Sequence, residues 1–299
     1  MMTPKLVHTD KPRNDRPVLP FERALSAAYF REMEASFDAT AGLVLCSFKF
    51  SGRPSFTRPL LDDIGALQKL ISACEQDSPG AVRYITWASK MPGIWNLGGD
   101  LELFAQLIRN KDREALLRYA LIVVGEGYRN HVALDLPLIT VSLIQGDALG
   151  GGFEAALSSN VIIAERSARF GLPEILFNLF PGMGAYTYLA RRINPGLAER
   201  MIMSGRIYSA AELYEMGAID VLCEDGGGME ALYAYMSRNE QRHRVQRAVY
   251  GARRLVNPVS KQELEDIAES WVDTAMGLSE RDLRIMLRLA AAQDRRRTR

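Results

Sequence analysis

Hydrophobic positions along the chain alternate between short apolar runs and longer amphipathic stretches. Residues 138–144 are almost continuously apolar, as in a strand whose two faces are both covered. Apolar side chains recur at i, i+3, i+4 and i+7 in Leu101, Phe104, Ala105 and Ile108, which predicts a helix that begins after Asp100. Further strands are predicted over residues 29–34, 43–50, 81–88 and 160–164, and helices over residues 59–74 and Arg113–His131. Alternating strands and helices indicate an α/β protein.

The pattern changes beyond Glu224, where no further strand is indicated. Capping-box spacings at Ser209/Glu212 and Ser260/Glu263 predict helix starts. An apolar stripe on the final helix (Leu283, Met286, Leu287 and Ala290) needs cover from the chain's own core or from a neighbouring subunit. The predicted organisation is a flexible tail over residues 1–20, a core over 21–225 and a helical region over 226–299 that serves trimerisation or covers the pocket.

Composition removes several classes of function. The 299 residues are 47% hydrophobic, and 37 Lys and Arg face 36 Asp and Glu, so no general charge favours nucleic acid. The basic end at residues 295–299 is either a solvated terminus or a docking patch for an acidic partner. No apolar run is long enough to cross a membrane, and three cysteines without metal spacing indicate a reducing compartment. We expect a cytoplasmic protein without membrane insertion, metal or cofactor.

Two carboxylates stand in unusual glycine and proline contexts. Glu154 follows the glycine triplet 150–152 by less than one turn, and Glu174 follows Pro173. The triplet lets the backbone approach a ligand, and it opens a predicted helix whose first N–H groups have no internal partner. Such donors beside two acids suit acid–base chemistry on a carbonyl compound.

Each feature also has a plainer interpretation. Glu154 alone is consistent with an exposed helix residue, and Glu174 with a first-turn acid that complements the helix dipole. The run from Gly150 to Ala155 formally matches a dinucleotide fingerprint, but 146–149 separates these glycines from the predicted strand. Scattered histidines and the absence of a Gly-x-Ser-x-Gly elbow argue against triad chemistry.

Taken together, the motifs resemble the crotonase (enoyl-CoA hydratase) superfamily over roughly residues 80–225. The resemblance is carried, in matching order, by the runs 96–100, 145–157, 170–175, 180–184, 204–209 and 216–220. It implies a crotonase (ClpP-like) spiral core of ββα units. It also implies that Glu154 and Glu174 are the catalytic pair, and that the N–H groups of Gly99 and Gly151 form the oxyanion hole.

Within the superfamily, segments 95–101, 182–186 and 271–278 are most similar to the diffusible signal factor (DSF) synthases of the RpfF type. Ordinary hydratases usually carry Phe-Cys-Ala-Gly-Ala-Asp where this chain has Trp-Asn-Leu-Gly-Gly-Asp. This resemblance implies dehydration of a 3-hydroxyacyl thioester, carried by acyl carrier protein or coenzyme A. Thioester hydrolysis then releases a cis-2-enoic acid as a quorum-sensing signal. Leu149, Gly150, Met183 and Trp271 are predicted to bind the substrate.

Two alternatives stay open at this point: an ordinary enoyl-CoA hydratase or isomerase, and a non-catalytic binding protein on the same fold. The resemblance also implies a homotrimer or hexamer. A further partner that it implies is the receiver domain of a membrane sensor kinase.

Overall fold

The computed structural model describes residues 18–297, with side chains described up to residue 292. The strands within this range are β1 (Met33–Asp38), β2 (Leu43–Phe48), β3 (Tyr84–Ser89), β4 (Gly93–Asn96), β5 (Ile139–Ile144), β6 (Gly146–Leu149), β7 (Val161–Glu165), β8 (Arg169–Gly171), β9 (Ile207–Ser209) and β10 (Val221–Cys223). The helices are α1 (Pro20–Ala27), α2 (Arg58–Asp77), α3 (Leu101–Arg109), α4 (Arg113–His131), α5 (Gly151–Leu157), α6 (Ala185–Arg192), α7 (Pro195–Ser204), α8 (Ala210–Glu215), α9 (Gly228–Arg238), α10 (His243–Val256), α11 (Lys261–Met276) and α12 (Glu280–Arg297).

The strands form two sheets. The larger has the order β1-β2-β3-β5-β7-β10, parallel except for the β1–β2 pair, and the smaller has the order β4-β6-β8-β9. In β3-β4, β5-β6 and β7-β8, a strand of the larger sheet is followed directly by a strand of the smaller one, and helices then come next along the chain. The α/β prediction is therefore confirmed, and each ββα unit advances through both sheets.

Most predicted elements lie where the hydrophobic pattern indicated. Helix α4 has the predicted bounds, and α3 begins at Leu101 with the Asp100 side chain accepting a hydrogen bond from the N–H of Leu103 at 3.1 Å. The strand predicted over 29–34 instead begins at Met33 and runs to Asp38. Antiparallel pairing explains the difference, because Met33 faces Phe48 and Asp38 faces Leu43, so β2 sets the length of β1.

The predicted helical C-terminal region is present, and the two predicted capping boxes and the apolar stripe can be compared with the structure. Ser209 and Glu212 form a complete capping box. Ser260 caps α11 by accepting the N–H of Glu263, but the Glu263 carboxylate bonds Arg191 and Thr187 of α6 instead of closing the box. The apolar stripe of α12 lies against α3 and the 3-10 helix Pro173–Phe177, so the chain's own core covers it.

The N-terminal prediction is tested only in part. Residues 1–17 lie outside the described residues, whereas Pro20, predicted to be in the tail, begins α1. The boundary near residue 225 between core and helical region stays a prediction. Within residues 18–297 no helix is long and apolar enough to span a membrane.

Candidate active site

Two glycine-rich turns meet where β4 ends and α5 begins. Gly150 has φ of 52° and Gly98 has φ of 94°, both in the region that favours glycine. A Cβ on Gly152 would overlap the carbonyl oxygen of Asn96, and a Cβ on Gly98 would lie 2.8 Å from the nitrogen of Gly151. The glycines therefore allow two backbone segments to approach more closely than any larger residue would permit.

The backbone nitrogens of Gly99 and Gly151 lie beside each other in this contact. A Cβ placed on Gly151 would be 3.3 Å from the Gly99 nitrogen. Gly151 is the first residue of α5, so its N–H has no partner within the helix. Within residues 18–297, the Gly99 N–H donates no hydrogen bond. Two backbone donors are thus available at one point for an oxygen of a bound molecule.

Glu154 lies in the first turn of α5 and is 3% exposed. Its Oε1 accepts the backbone N–H groups of Met183 at 2.7 Å and Ala185 at 3.0 Å, at the start of α6. Burial raises the pKa of this carboxyl to about 7, although the hydrogen bonds from Ala185 and Met183 oppose the rise. The group can therefore exchange a proton near neutral pH.

Glu174 lies in the 3-10 helix that follows β8, directly after Pro173. Its Oε1 is 2.6 Å from the position that a Cβ on Gly150 would occupy, and its Oε2 is buried without a hydrogen-bond partner. Burial, and after it the charge of Glu154, raises the pKa of Glu174 well above its ordinary range. Two carboxyls that influence each other in this way share a proton more readily than they both ionise.

An apolar cavity opens beside Gly151 and Glu154. About 570 Å³ of empty space lies within it, part of which is open to solvent. Its lining is mainly aromatic and aliphatic, and further polar groups come from Gln68, Glu126, Asn130 and Ser158. The remaining lining residues are Phe48, Phe56, Leu61, Ile64, Trp87, Trp95, Val123, Gly127, Gly151, Glu154, Ala155, Met183 and Tyr188. Such a lining suits an apolar ligand, with the Glu154 carboxyl at its side.

Hydrogen bonds fix two of the aromatic walls. Trp87 Nε1 donates to Asn130 Oδ1 at 2.8 Å, and Trp95 Nε1 donates to the Trp87 carbonyl at 3.3 Å. The Phe48 ring stacks on Trp87 with ring centroids 6.2 Å apart, a separation typical of paired aromatics. The cavity is therefore shaped by side chains with little freedom to move.

The residues predicted to bind substrate are placed differently from one another. Met183 lines the cavity, and Gly150 lies against Glu174. Leu149 packs with Ile94 and Leu97 in a separate small cluster. Trp271 is 3% exposed and packs on Gly182 and on the ring of Phe104, without lining the cavity as described. A substrate role for these four residues stays a prediction.

Sequence reasoning missed several residues of the cavity. Trp87 and Tyr188 lie in elements whose apolar pattern indicates only burial, and neither carries a motif. Glu126 is a charged residue of α4, for which the sequence predicts exposure, yet its Oε2 is buried without a hydrogen-bond partner. The i, i+4, i+7 spacing of Val123, Gly127 and Asn130 could have indicated this inward face.

The structure overturns the argument that residues 146–149 separate the glycine triplet from a strand. Residues 146–149 form strand β6, so the glycines do directly follow a strand. The dinucleotide fingerprint also requires an acid at the end of the next strand, but β7 ends at Glu165 and Glu174 lies beyond β8. The Oε1 of Glu174 also occupies the space beside Gly150 where a phosphate would have to approach.

Comparisons with known proteins identify the family of this chain. Residues 60–243 match the family model described as enoyl-CoA hydratase/isomerase. The mitochondrial methylglutaconyl-CoA hydratase of Rattus norvegicus is 31% identical over 182 residues, covering 61% of this chain and 54% of the relative. The 2,3-dehydroadipyl-CoA hydratase of Escherichia coli is 39% identical over 94 residues, which is 31% of this chain and 36% of that protein. The chain spans about half the length of the methylglutaconyl-CoA hydratases that it matches.

Solved structures share the fold. An enoyl-CoA hydratase from Bacillus halodurans superposes with a TM-score of 0.71 at 18% identity, covering 87% of this chain and 100% of that one. The Pseudomonas aeruginosa protein DspI superposes with a TM-score of 0.65 at 20% identity, covering 83% and 98%. The predicted crotonase fold is thereby confirmed.

Proposed function

The chain belongs to the enoyl-CoA hydratase/isomerase family, and we propose that it is a hydro-lyase that interconverts 3-hydroxyacyl and 2-enoyl thioesters. One observation carries the proposal: Glu154 and Gly151 line an apolar cavity, with the Gly99 nitrogen beside Gly151 and the Glu174 carboxyl beside the adjacent Gly150.

The chemistry needs one ionised and one protonated carboxyl. In dehydration, a carboxylate takes the proton from Cα and a carboxylic acid gives its proton to the leaving hydroxyl, so that water departs and a C=C bond forms. Glu154 accepts two N–H bonds, which favour its charged form, whereas Glu174 Oε2 has no partner. The negative charge therefore belongs on Glu154 and the proton on Glu174.

The thioester carbonyl gains negative charge as the α-proton leaves. The Gly99 and Gly151 N–H groups are positioned beside each other to receive that oxygen. Removal of one such donor typically costs about 3 kcal/mol of transition-state stabilisation.

A narrower activity, that of a DSF synthase, is our second candidate. It adds a hydrolytic step in which water attacks the thioester carbonyl carbon, the C–S bond breaks, and the thiol leaves with a proton. The same two N–H groups would hold the tetrahedral oxyanion. Support comes from contact between two segments that carry the resemblance: Trp271 packs directly on Gly182, where any Cβ would overlap its ring.

Product analysis separates these candidates. The purified protein is incubated with 3-hydroxyacyl thioesters of coenzyme A and of acyl carrier protein, and products are scored by mass spectrometry. A hydratase gives enoyl thioester only, whereas a DSF synthase gives the free 2-enoic acid. No turnover of any thioester, together with saturable acyl binding, would identify a non-catalytic binding protein and overturn the proposal. Glu154→Gln serves as the inactive control.

We also propose that the protein is an oligomer. Val245, Val249 and Val256 form an apolar stripe on α10 and are 62%, 59% and 77% exposed, which is unusual for a helix face with no partner. Sedimentation of a strictly monomeric, active enzyme would contradict this. The receiver-domain partner implied by the resemblance stays a prediction. The basic end that would contact an acidic partner, Arg295–Arg297, has side chains outside those described.

A further inference from the structure

A second cavity lies at the converging C-terminal ends of α4, α6 and α10. We call it the arginine pocket, and it is defined by His131, Arg191, Arg192, Arg253 and Arg254. Among its lining residues, only Tyr188 also lines the catalytic cavity. The pocket is therefore a separate site, and the proposed activity makes no use of its charged groups.

Two of the four guanidinium groups are matched by carboxylates. Arg191 makes a bidentate pair with Glu263 at 2.8 and 2.9 Å, and Arg192 pairs with Asp220 at 2.8 Å. These contacts neutralise one half of the pocket and hold its wall in place.

The other two guanidinium groups contact no carboxylate of the described residues. Within that part of the chain, Arg253 donates a hydrogen bond only to the Asn160 carbonyl at 3.5 Å, and it lies over the ring of Tyr250. Arg254 makes no hydrogen bond or ion pair with the described residues, and no acid lines the pocket. The pocket therefore holds two positive charges that no carboxylate of the described residues neutralises.

The ring of His131 in the same pocket also has an unsatisfied polar atom. Its Nε2 is buried and has no hydrogen-bond partner. Burial first, and then the positive charges of Arg253, Arg254, Arg191 and Arg192, lower its pKa to about 4. A neutral imidazole with an unused nitrogen offers a donor or acceptor to a bound group.

We infer that the arginine pocket binds a phosphoryl anion, held by Arg253 and Arg254 with His131 as an additional hydrogen-bond partner. A phosphate monoester carries a charge of about −1.5 to −2 at pH 7, which matches two unpaired guanidinium groups better than one carboxylate would. Guanidinium forks also suit the geometry of phosphate oxygens.

A competing explanation is that these arginines only complement the negative ends of their helices. Arg191, Arg192, Arg253 and Arg254 all lie in the last turns of α6 and α10, where cations are stabilising. That explanation predicts a loss of stability when an arginine is removed, and no specific binding of an anion.

Calorimetric titration of the full chain distinguishes the two explanations without depending on enzymatic activity. Inorganic phosphate and adenosine 3′,5′-bisphosphate are the probes, so that free phosphate and a phosphoryl group on a larger ligand are compared, and acetate tests for any anion. We expect saturable binding of at least one phosphoryl probe, weakened about tenfold or more in Arg254→Ala and less in Arg254→Lys. Exposed Arg288→Ala is the matched control and should bind as the parent does.

The His131 ring gives a second readout by NMR. Phosphoryl binding should shift its signals and raise its pKa, because an anion offsets the surrounding positive charges. The inference is overturned if the parent protein shows no saturable phosphoryl binding, or if Arg254→Ala, still folded by thermal melting, binds as tightly as the parent. Equal binding of acetate and phosphate would also overturn the phosphoryl assignment.

Discussion

Replacement of Glu154 by glutamine should stabilise the protein at alkaline pH while abolishing its proposed activity. The amide keeps the shape and an oxygen that can accept the N–H groups of Met183 and Ala185, but it has no charge to bury. Because a buried carboxylate is costly, we expect the parent protein to lose stability as this group ionises, and Glu154→Gln not to do so.

The magnitude follows from the pKa. Burial raises the pKa of Glu154 from 4.5 to about 7, so the folded state binds more protons than the unfolded state between these values. Stability must therefore fall as pH rises through this window. At about 1.4 kcal/mol per pH unit, the difference amounts to about 3 kcal/mol once pH exceeds 8.

Urea denaturation at pH 5, 6, 7 and 8 measures this directly, and urea avoids the ionic screening of guanidinium. The stabilities of the two proteins should be close at pH 5 and differ by about 3 kcal/mol at pH 8. Glu199→Gln, at an exposed position on α7, should follow the parent at every pH. Parallel curves for the parent and Glu154→Gln would show that burial does not govern the Glu154 carboxyl, and the proton-sharing argument would fail with it.

Three further changes test the site. Glu174→Ala should abolish product formation with the thermal melting point retained, because its proposed role is chemical; near-normal turnover would exclude it. Gly152→Ala should unfold the protein or lower its stability by several kcal/mol, since a Cβ would overlap the Asn96 carbonyl. The control Gly251→Ala places its Cβ in open space and should stabilise α10 by up to about 1 kcal/mol. Met183→Phe should shift the acyl chain-length preference in a panel of thioesters, and an unchanged profile with a lower melting point would assign Met183 to the core.

Local patterns in the sequence determined the longer elements. Helix α4 has the predicted bounds because Arg113–His131 carries an Asp cap and a sustained helical spacing. The glycine triplet and Glu174 after Pro173 were also recognisable, since they are departures from ordinary helix composition that a short window reveals. These features sufficed for the fold class and for nominating two glutamates.

The smaller sheet was decided by the tertiary structure. Strands β6, β8 and β9 are only three or four residues long, too short to show a periodicity of their own, and β6 and β8 each include a glycine. They become strands because they pair with one another and with β4. The distant Gly99 and Gly151 N–H groups meet only through this pairing.

The chemistry of the site likewise depends on burial, which no local pattern reports. The raised pKa values of Glu154 and Glu174 come first from desolvation, and desolvation requires α5, α6 and the turn after β8 to pack together. The cavity draws Phe48, Trp87 and Tyr188 from segments far apart in the chain. Residue types and their spacing could therefore nominate the acids, but only the packed chain gives them their proton affinity and a chamber in which to act.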